Sequence, residues 1–182
     1  EETLVTLSAN DRPFYLQVHP YAVHGPVRSR PDLQAQTGGD AFYGFVRSID
    51  LIVGRLFKMI EDPNGDGDQA DSIAAHTLVL FTSDNGGTHK NNLPLRGTKG
   101  MFTEGGIRVP LIAWWPGKIQ PSVNDQVSAF WDIMPTIADL VGTSVESDGI
   151  SLLPTLFNEG NQKDHAFLYW EFVSDVERQA VL

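Results

Sequence analysis

The sequence predicts an α/β fold in which a mostly parallel sheet is flanked by helices. Short apolar runs, bounded by glycine, proline, asparagine or aspartate, have the length and composition of β-strands. Longer stretches in which apolar residues recur every three or four positions predict helices between them. Three or four strands alternate in this way with two helices, as expected of an α/β domain. The predicted strands cover residues 14–18, 77–82, 109–115 and 165–172, and the predicted helices cover residues 40–60 and 132–141.

The amino-terminal third contains one predicted strand and two histidines in the loop that follows it. Residues 1–9 are typical of a helix end, and Asp11-Arg12-Pro13 then breaks the chain. The aromatic and β-branched run 14–18 predicts a strand. His19 and His24 follow in its exit loop, where a histidine beside a proline is commonly a hydrogen-bonded loop residue. Position alone therefore assigns neither of them a function.

The predicted helix over residues 40–60 ends in an acidic loop. Its apolar residues recur at three- and four-residue steps and form one face over roughly five turns. In the loop, Asp62, Asn64 and Asp66 match the front half of an EF-hand calcium site. The twelfth position is Ile73 instead of the bidentate glutamate that such a site needs. The sequence favours a flexible acidic loop, with a peripheral calcium site as the alternative.

Polar residues follow the predicted strand at residues 77–82 directly. The four consecutive apolar residues 78–81 are typical of a parallel strand that is covered on both faces. Asp84 and Asn85 come next, at the carboxyl end of the strand, where open α/β sheets bind their ligands. Their side-chain oxygens suit Ca²⁺ or Mg²⁺. The alternative is a simple turn, because Asp and Asn before glycine are strong turn formers.

Two glycine-rich segments with fixed charges complete this part of the chain. They read RGTKG at residues 96–100 and EGGIRVP at residues 104–110. We expect Arg96, Glu104 and Arg108 to tie the loop together through ion pairs and glycine turns.

The carboxyl-terminal part continues the alternation of strand and helix. The strand at residues 109–115 is stopped by Pro116-Gly117. Asp132 is placed to cap a helix that runs to about Val141, which is a complete structural role, so we assign it no chemistry. A loop-rich stretch then leads to the strand at residues 165–172 and to the start of a further strand near the end of the chain.

Five motifs, in this order and at this spacing, resemble those of the sulfatase family. They are His24-Gly25-Pro26, SDNGG at 83–87, PLRGTKG at 94–100, TEGGIRVPLIAWWPGKI at 103–119, and WDIMPT at 131–136. The resemblance extends from about Arg12 to Trp170. It implies a partial alkaline-phosphatase-like sandwich and an arylsulfatase-type enzyme that depends on Ca²⁺. It also implies a formylglycine nucleophile made from Cys or Ser.

The resemblance also assigns roles to individual residues. It implies that Asp84 and Asn85 coordinate Ca²⁺. Lys99 would contact the sulfate and help to stabilise the leaving oxygen. His24 would also contact the sulfate and donate a proton to the leaving group. The role of His89, close by in the sequence, stays open.

The departures from the family pattern are large. No Cys or Ser followed by x-Pro-x-Arg occurs among the 182 residues, and the family's amino-terminal pair of metal-binding aspartates is missing. The resemblance therefore implies a piece of the catalytic domain, truncated at both ends, with about half of the calcium ligands and no turnover in isolation. Residues 1–160 would form the second half of that domain, and residues 161–182 would begin a carboxyl-terminal subdomain. Two alternatives are a phosphodiesterase or phosphonate hydrolase of the same superfamily and a non-catalytic calcium-binding module.

Composition limits the partners of the chain. Its net charge is −10, without a basic cluster, which argues against nucleic acid and anionic membranes as partners. The absence of cysteine excludes disulfides, thiolate-bound zinc and thiol nucleophiles. No stretch is long enough for a membrane span. We expect a small-molecule or saccharide sulfate ester as substrate and self-association through an exposed sheet edge. Only the family resemblance suggests a location, which is periplasmic or secreted.

Overall fold

The computed structural model describes residues 2–10, 12–88, 92–173 and 178–182. The chain divides into two compact units, Glu1–Thr77 and Leu78–Leu182. The first unit contains the helices α1 (Glu2–Ser8), α2 (Pro31–Gln36) and α3 (Ala41–Glu61) and a 3₁₀ turn at Ala74–His76. The second unit contains β1 (Val79–Thr82), α4 (Glu104–Ile107), β2 (Leu111–Trp114), a 3₁₀ turn (Phe130–Asp132), α5 (Ile133–Leu140), α6 (Leu153–Phe157), β3 (Tyr169–Phe172) and β4 (Arg178–Val181).

Helix α3 dominates the first unit and confirms the helix predicted from the apolar period. It begins after Asp40, whose carboxylate accepts hydrogen bonds from the amides of Phe42 at 2.8 Å and Tyr43 at 3.1 Å. This side chain satisfies donors that have no partner within the helix. Gly44 is buried and has no Cβ, so that α3 approaches the backbone of Gln34 in α2. Within the described ranges, no helix is both long and apolar enough to cross a bilayer.

The strand predicted at residues 14–18 is wrong. These residues form neither strand nor helix, and Tyr15 is 60% exposed. A strand needs a neighbouring backbone to hydrogen-bond to, and the described elements of this unit are all helical. The composition of the segment suits a strand, but composition does not provide the partner.

The second unit contains two small sheets, each made of two strands. Strand β1 pairs with β2 in antiparallel register, from Val79 opposite Trp114 to Thr82 opposite Leu111. Strands β3 and β4 also pair in antiparallel register. The α/β class is confirmed, and β1 and β2 lie where the sequence predicts strands. The parallel pairing expected for β1 is not formed among the described residues, and Phe81 is 39% exposed instead of covered on both faces.

A buried polar anchor holds the start of helix α5. Asp132 is fully buried and accepts hydrogen bonds from the amides of Ala129 at 2.7 Å and Ile150 at 2.9 Å, and from His165 Nε2 at 2.9 Å. Its carboxylate makes no hydrogen bond to the amides of α5, so the side chain does not cap this helix as predicted. Asp132 does stand at the start of the helix, and its role is structural as predicted. The side chain fixes the loop and His165 against α5.

Thr136 extends this anchor one turn along α5. It is buried, and its hydroxyl accepts a hydrogen bond from the amide of Leu152 at 2.9 Å while donating to the carbonyl of Asp132 at 2.6 Å. Helix α5 ends at Leu140, and Gly142 follows with φ of 73°, the left-handed conformation that commonly ends a helix. The predicted end of this helix is therefore confirmed.

Candidate active site

The loop after β1 carries two side chains with available oxygens. Asp84 is exposed, and among the described residues no donor is bonded to its carboxylate. Asn85 is half-buried, and its Nδ2 donates to the carbonyl of Gly86 at 3.2 Å. This bond occupies the amide nitrogen of Asn85 and leaves its Oδ1 for another partner. The loop thus presents hard oxygen donors at the end of a strand.

Backbone hydrogen bonds join this loop to both of the glycine-rich segments. The amide of Gly86 donates to the carbonyl of Gly106 at 3.0 Å. The amide of Lys99 donates to the carbonyl of Gly87, also at 3.0 Å. Residues 84–87, 92–101 and 103–108 therefore form one loop cluster. It contains three of the four predicted site residues, namely Asp84, Asn85 and Lys99.

Close backbone contact explains why the loop cluster is rich in glycine. A Cβ at Gly86 would overlap the carbonyl oxygen of Gly105, and one at Gly106 would overlap that of Met101. Gly86, Gly105 and Gly106 are all buried, whereas Lys99 is exposed. The glycines form the interior of the cluster, and the lysine side chain leaves it toward solvent.

The arginines in the loop cluster, and one outside it, make different kinds of contact. Arg108 pairs with Glu104 at 3.3 Å on the surface of α4, as the sequence predicts. Arg96 contributes its carbonyl, which accepts a hydrogen bond from the amide of Gly105 at 2.7 Å. Arg178, in strand β4, donates from Nη1 to the carbonyl of Gly100 at 3.2 Å. No sequence signal indicates that last contact, because the two residues are 78 positions apart.

Asn92, within the loop cluster, is also not identified by the sequence pattern. Its side chain bonds to the loop after β1 and to both glycine-rich segments. Asparagine is common in turns, and nothing in the neighbouring residues distinguishes this one from a turn residue. His89 lies outside the described residues, so its role stays open.

His24 belongs to the first unit, whereas Asp84, Asn85 and Lys99 belong to the second. Its ring is exposed, and Nδ1 lies 2.9 Å from the carbonyl oxygen of Gly25. A carbonyl only accepts hydrogen bonds, so this contact requires the proton on Nδ1 and leaves Nε2 for another partner. Tyr21 donates to the same carbonyl at 2.6 Å. The loop thereby holds the orientation of the imidazole.

The described residues supply only part of a calcium site. Ca²⁺ takes roughly six to eight oxygen ligands. Within residues 2–10, 12–88, 92–173 and 178–182, no group of three or more His, Cys, Asp or Glu is arranged to hold a metal ion. Asp84 and Asn85 fit the chemistry of hard ligands but do not form a complete site. They fit as contributors to a site that needs further donors.

The acidic loop after α3 uses its side chains within its own backbone. Asp62 accepts from the amides of Gly65 and Gly67, and Asn64 accepts from the amide of Asp66. These bonds are the local turns that Asp and Asn commonly form. They support the interpretation of residues 61–71 as an acidic loop.

The sequence is similar to those of known sulfatases. The family model described as Sulfatase matches residues 1–143. A sulfatase of Formosa agariphila is 40% identical in an alignment 187 residues long. The alignment covers 91% of this chain and 34% of that protein. Arylsulfatase A of Homo sapiens is 31% identical over 177 residues, which cover 92% of this chain and 33% of that protein.

Two solved structures show the same fold. Ps i-CgsB in complex with k-i-k-neocarrahexaose has a TM-score of 0.78 at 27% identity, covering 100% of this chain and 43% of that chain. The phosphonate monoester hydrolase of Agrobacterium radiobacter has a TM-score of 0.52 at 27% identity, covering 78% of this chain and 26% of that chain. Both confirm the partial alkaline-phosphatase-like fold. The chain spans about a third of the length of the curated relatives it matches. Because the family model covers well over half of its residues, the chain belongs to the sulfatase family.

Proposed function

We propose that this chain is the part of a sulfuric ester hydrolase that contributes two metal ligands and the sulfate-binding lysine. The observation that carries the proposal is the hydrogen bond from the Lys99 amide to the carbonyl of Gly87. It holds a residue with a basic side chain in the same loop cluster as Asp84 and Asn85. Membership of the sulfatase family supports the same roles.

The chemistry of a sulfate ester explains why such a cluster is useful. The anionic oxygens repel an incoming nucleophile, so catalysis needs positive charge beside them. Lys99 supplies an ammonium group that is exposed and free to contact the anion. Asp84 and Asn85 would hold Ca²⁺, which when bound supplies further positive charge. The sulfatase nucleophile is formylglycine, and no residue of this chain occupies its motif, so it would come from sequence outside these residues.

His24 is proposed as the proton donor to the leaving oxygen. Its Nδ1–H is directed at the carbonyl of Gly25, so a protonated ring carries its second proton on Nε2. That atom is the one able to transfer a proton to a departing alkoxide. The hydrogen bond of Nδ1 would stay in place before and after the transfer. The function of this hydrogen bond is therefore to orient the imidazole ring.

The proposed substrate is the sulfate ester of a saccharide. The support is the solved structure of Ps i-CgsB in complex with an oligosaccharide, k-i-k-neocarrahexaose. Aryl sulfates are a convenient probe of the same chemistry, because human arylsulfatase A is also a relative.

The test is an assay of aryl sulfate and aryl phosphodiester hydrolysis by the intact protein. We expect Lys99→Ala to lower kcat/KM for the sulfate about 10²–10³-fold, as when one stabilising donor is lost. We expect His24→Ala to lower it about 10²–10⁴-fold, as for a general acid. Lys118→Ala and His19→Ala are matched controls, since both side chains are exposed and neither has an assigned role. Unchanged sulfatase activity in both test variants would overturn the proposal.

A phosphonate or phosphodiester hydrolase is the second candidate. The phosphonate monoester hydrolase of Agrobacterium radiobacter shares the fold, although with a lower TM-score than Ps i-CgsB. Preference for the phosphodiester in the same assay would favour this candidate. A protein that binds Ca²⁺ but hydrolyses neither substrate would favour the non-catalytic module.

We also propose that residues 1–160 belong to the second half of the catalytic domain and residues 161–182 to a following subdomain. The isolated chain would have no turnover and would self-associate. Ile112 in β2 is 56% exposed, and among the described residues β1 and β2 form a sheet of two strands, so that both are edge strands with apolar surface beside them. A molar mass that rises with concentration in light scattering would support self-association, and a constant monomer mass would refute it.

A further inference from the structure

We infer that Asn92 is a positioning residue that clamps the loop carrying Lys99 to the loop carrying Asp84 and Asn85. This inference rests on the proposed function, because it assigns a role in the same site. Asn92 itself need not touch substrate or metal. It would act by fixing where Lys99 is held relative to the loop that carries Asp84 and Asn85.

The side chain of Asn92 makes four hydrogen bonds to three separate segments. Its Nδ2 donates to the carbonyls of Gly87 at 2.9 Å, Gly97 at 3.0 Å and Gly105 at 2.9 Å. Its Oδ1 accepts from the amide of Gly87 at 3.1 Å. Two N–H groups are thus shared among three carbonyls, and the donor capacity of the amide is fully used.

These partners distinguish Asn92 from an ordinary turn residue. A turn asparagine bonds to its own backbone about two residues away. The partners of Asn92 lie five positions away on either side, at Gly87 and Gly97, and thirteen positions away at Gly105. The contacts are therefore tertiary, and they bring together the three parts of the loop cluster.

Asn92 holds the main chain on both sides of the hydrogen bond between the Lys99 amide and the Gly87 carbonyl. Gly87, whose carbonyl also accepts from the Lys99 amide, exchanges two hydrogen bonds with Asn92. Gly97 is two residues before Lys99, and its carbonyl is held by Nδ2 of Asn92. Loss of the Asn92 amide would release the main chain on both sides of Lys99. The lysine would keep its charge, but its main chain would no longer be held in a fixed position.

Neither aspartate nor alanine reproduces this set of bonds. Aspartate has the same shape, but its carboxylate has no N–H donors and would repel three carbonyl oxygens. Alanine leaves the same carbonyls and the Gly87 amide without their partner. Asn92→Asp and Asn92→Ala therefore test the clamp in two different ways. Asn124→Ala is the matched control, since its only described side-chain contact is a local one with the Gln126 amide at 2.7 Å.

The decisive experiment is a double-mutant cycle in the full-length protein, using hydrolysis of an aryl sulfate. Asn92→Ala is expected to lower kcat/KM about 100-fold, the size of effect that a displacement of about 1 Å produces. In the Lys99→Ala background the same substitution is expected to cost less than about threefold, because a clamp that positions Lys99 has nothing left to position. The inference would be overturned if the losses of kcat/KM from Asn92→Ala and Lys99→Ala multiply fully in the double variant. It would also be overturned if kcat/KM of Asn92→Ala alone is within about twofold of wild type. If Asn92→Ala does not fold, the isosteric Asn92→Asp replaces it in the cycle.

A second measurement separates this inference from the proposed function. Hydrogen exchange in the full-length protein reports the amides of Gly87 and Lys99 directly. We expect both to exchange at least about tenfold faster in Asn92→Ala, which removes the acceptor of the Gly87 amide and the donor to the Gly97 carbonyl, and at the wild-type rate in Asn124→Ala. Should wild type lack sulfatase activity, the proposed function fails, but this exchange comparison still decides whether Asn92 clamps the loops. Unchanged exchange at both amides would refute the clamp even in an active enzyme.

Discussion

Asp84 and Asp132 are aspartates of the same unit in opposite environments. Asp84 is exposed, and no donor in the described part of the chain occupies its carboxylate. Asp132 is fully buried and bonded to two backbone amides and to His165. The oxygens of Asp132 are already satisfied by the protein, whereas those of Asp84 accept from no donor among the described residues. Hydrogen-bond satisfaction, not residue type, separates a structural carboxylate from a candidate metal ligand.

The same contrast extends to the regions around the two residues. The loop cluster of residues 84–87, 92–101 and 103–108 is held by hydrogen bonds to main-chain carbonyls, many of them of glycines, and its charged side chains are exposed or half-buried. The anchor of Asp132 and Thr136 is held by buried side chains, and it fixes a helix. Substitutions in the anchor should therefore cost stability first, and substitutions of the exposed side chains of the cluster should cost binding and activity first.

Asp132→Ala is the substitution with the largest expected effect on stability. It leaves two amides and the His165 ring without their acceptor in a buried site, which typically costs about 3–5 kcal/mol. The measurement is urea unfolding of the intact protein. Asp148→Ala is the control, because Asp148 is exposed in the same unit and should shift the free energy of unfolding by at most about 0.5 kcal/mol. A loss below about 1 kcal/mol for Asp132→Ala would contradict the anchor.

Gly106→Ala should have the next largest effect. The added methyl group would overlap the carbonyl of Met101 in the interior of the loop cluster. We expect a loss of about 2–3 kcal/mol from overpacking, together with a loss of sulfatase activity, because Lys99 lies on the displaced loop. Gly54→Ala is the control, since nothing lies near its Cβ position in α3 and alanine there should be neutral or slightly stabilising. Equal unfolding curves for wild type and Gly106→Ala would be incompatible with the close packing.

Local sequence patterns were sufficient for helices α3 and α5 and for strands β1 and β2, but not for the short helices α2, α4 and α6 or for pairings over long distances. The apolar period predicts α3, and the residues after β1 predict the ligand loop, because both signals lie within a few consecutive residues. The direction of the β1–β2 pairing depends on which segments meet in space. The segment at residues 14–18 likewise has the composition of a strand but no strand to pair with.

The bonds that sequence analysis missed share a physical cause. Asp132 meets His165 across 33 positions, and Arg178 meets Gly100 across 78 positions. Asn92 meets Gly105 across thirteen. A side chain that acts through such distant carbonyls or rings leaves no periodic signal near its own position. The family resemblance identified the motif that contains Asp132, but it did not indicate the hydrogen-bond partners.

Thr136→Val removes a single element of the anchor and should have a smaller effect. Valine has the same shape but cannot accept the hydrogen bond of the buried Leu152 amide. The expected loss is about 1–2 kcal/mol, the usual cost of one unsatisfied buried donor. Thr143→Val, at an exposed position, should leave the urea midpoint unchanged. Activity of Thr136→Val, measured well below its unfolding transition, should match wild type.

Asp84→Asn should have almost no effect on stability and a clear effect on calcium. The side chain is exposed and bonded to no described donor, so the free energy of unfolding in chelator should stay within about 0.5 kcal/mol of wild type. The loss of one carboxylate charge should lower the calcium affinity of the intact protein at least about tenfold in titration calorimetry, because the number of ligand charges tunes affinity for this ion. Asp66→Asn is the matched control: it removes one carboxylate from the acidic loop, where Asp66 accepts from the Asp68 amide, and should leave the calcium stoichiometry unchanged. If Asp66→Asn lowers the calcium affinity or stoichiometry and Asp84→Asn lowers neither, the metal belongs to the acidic loop, and the contrast between Asp84 and Asp132 loses its functional meaning.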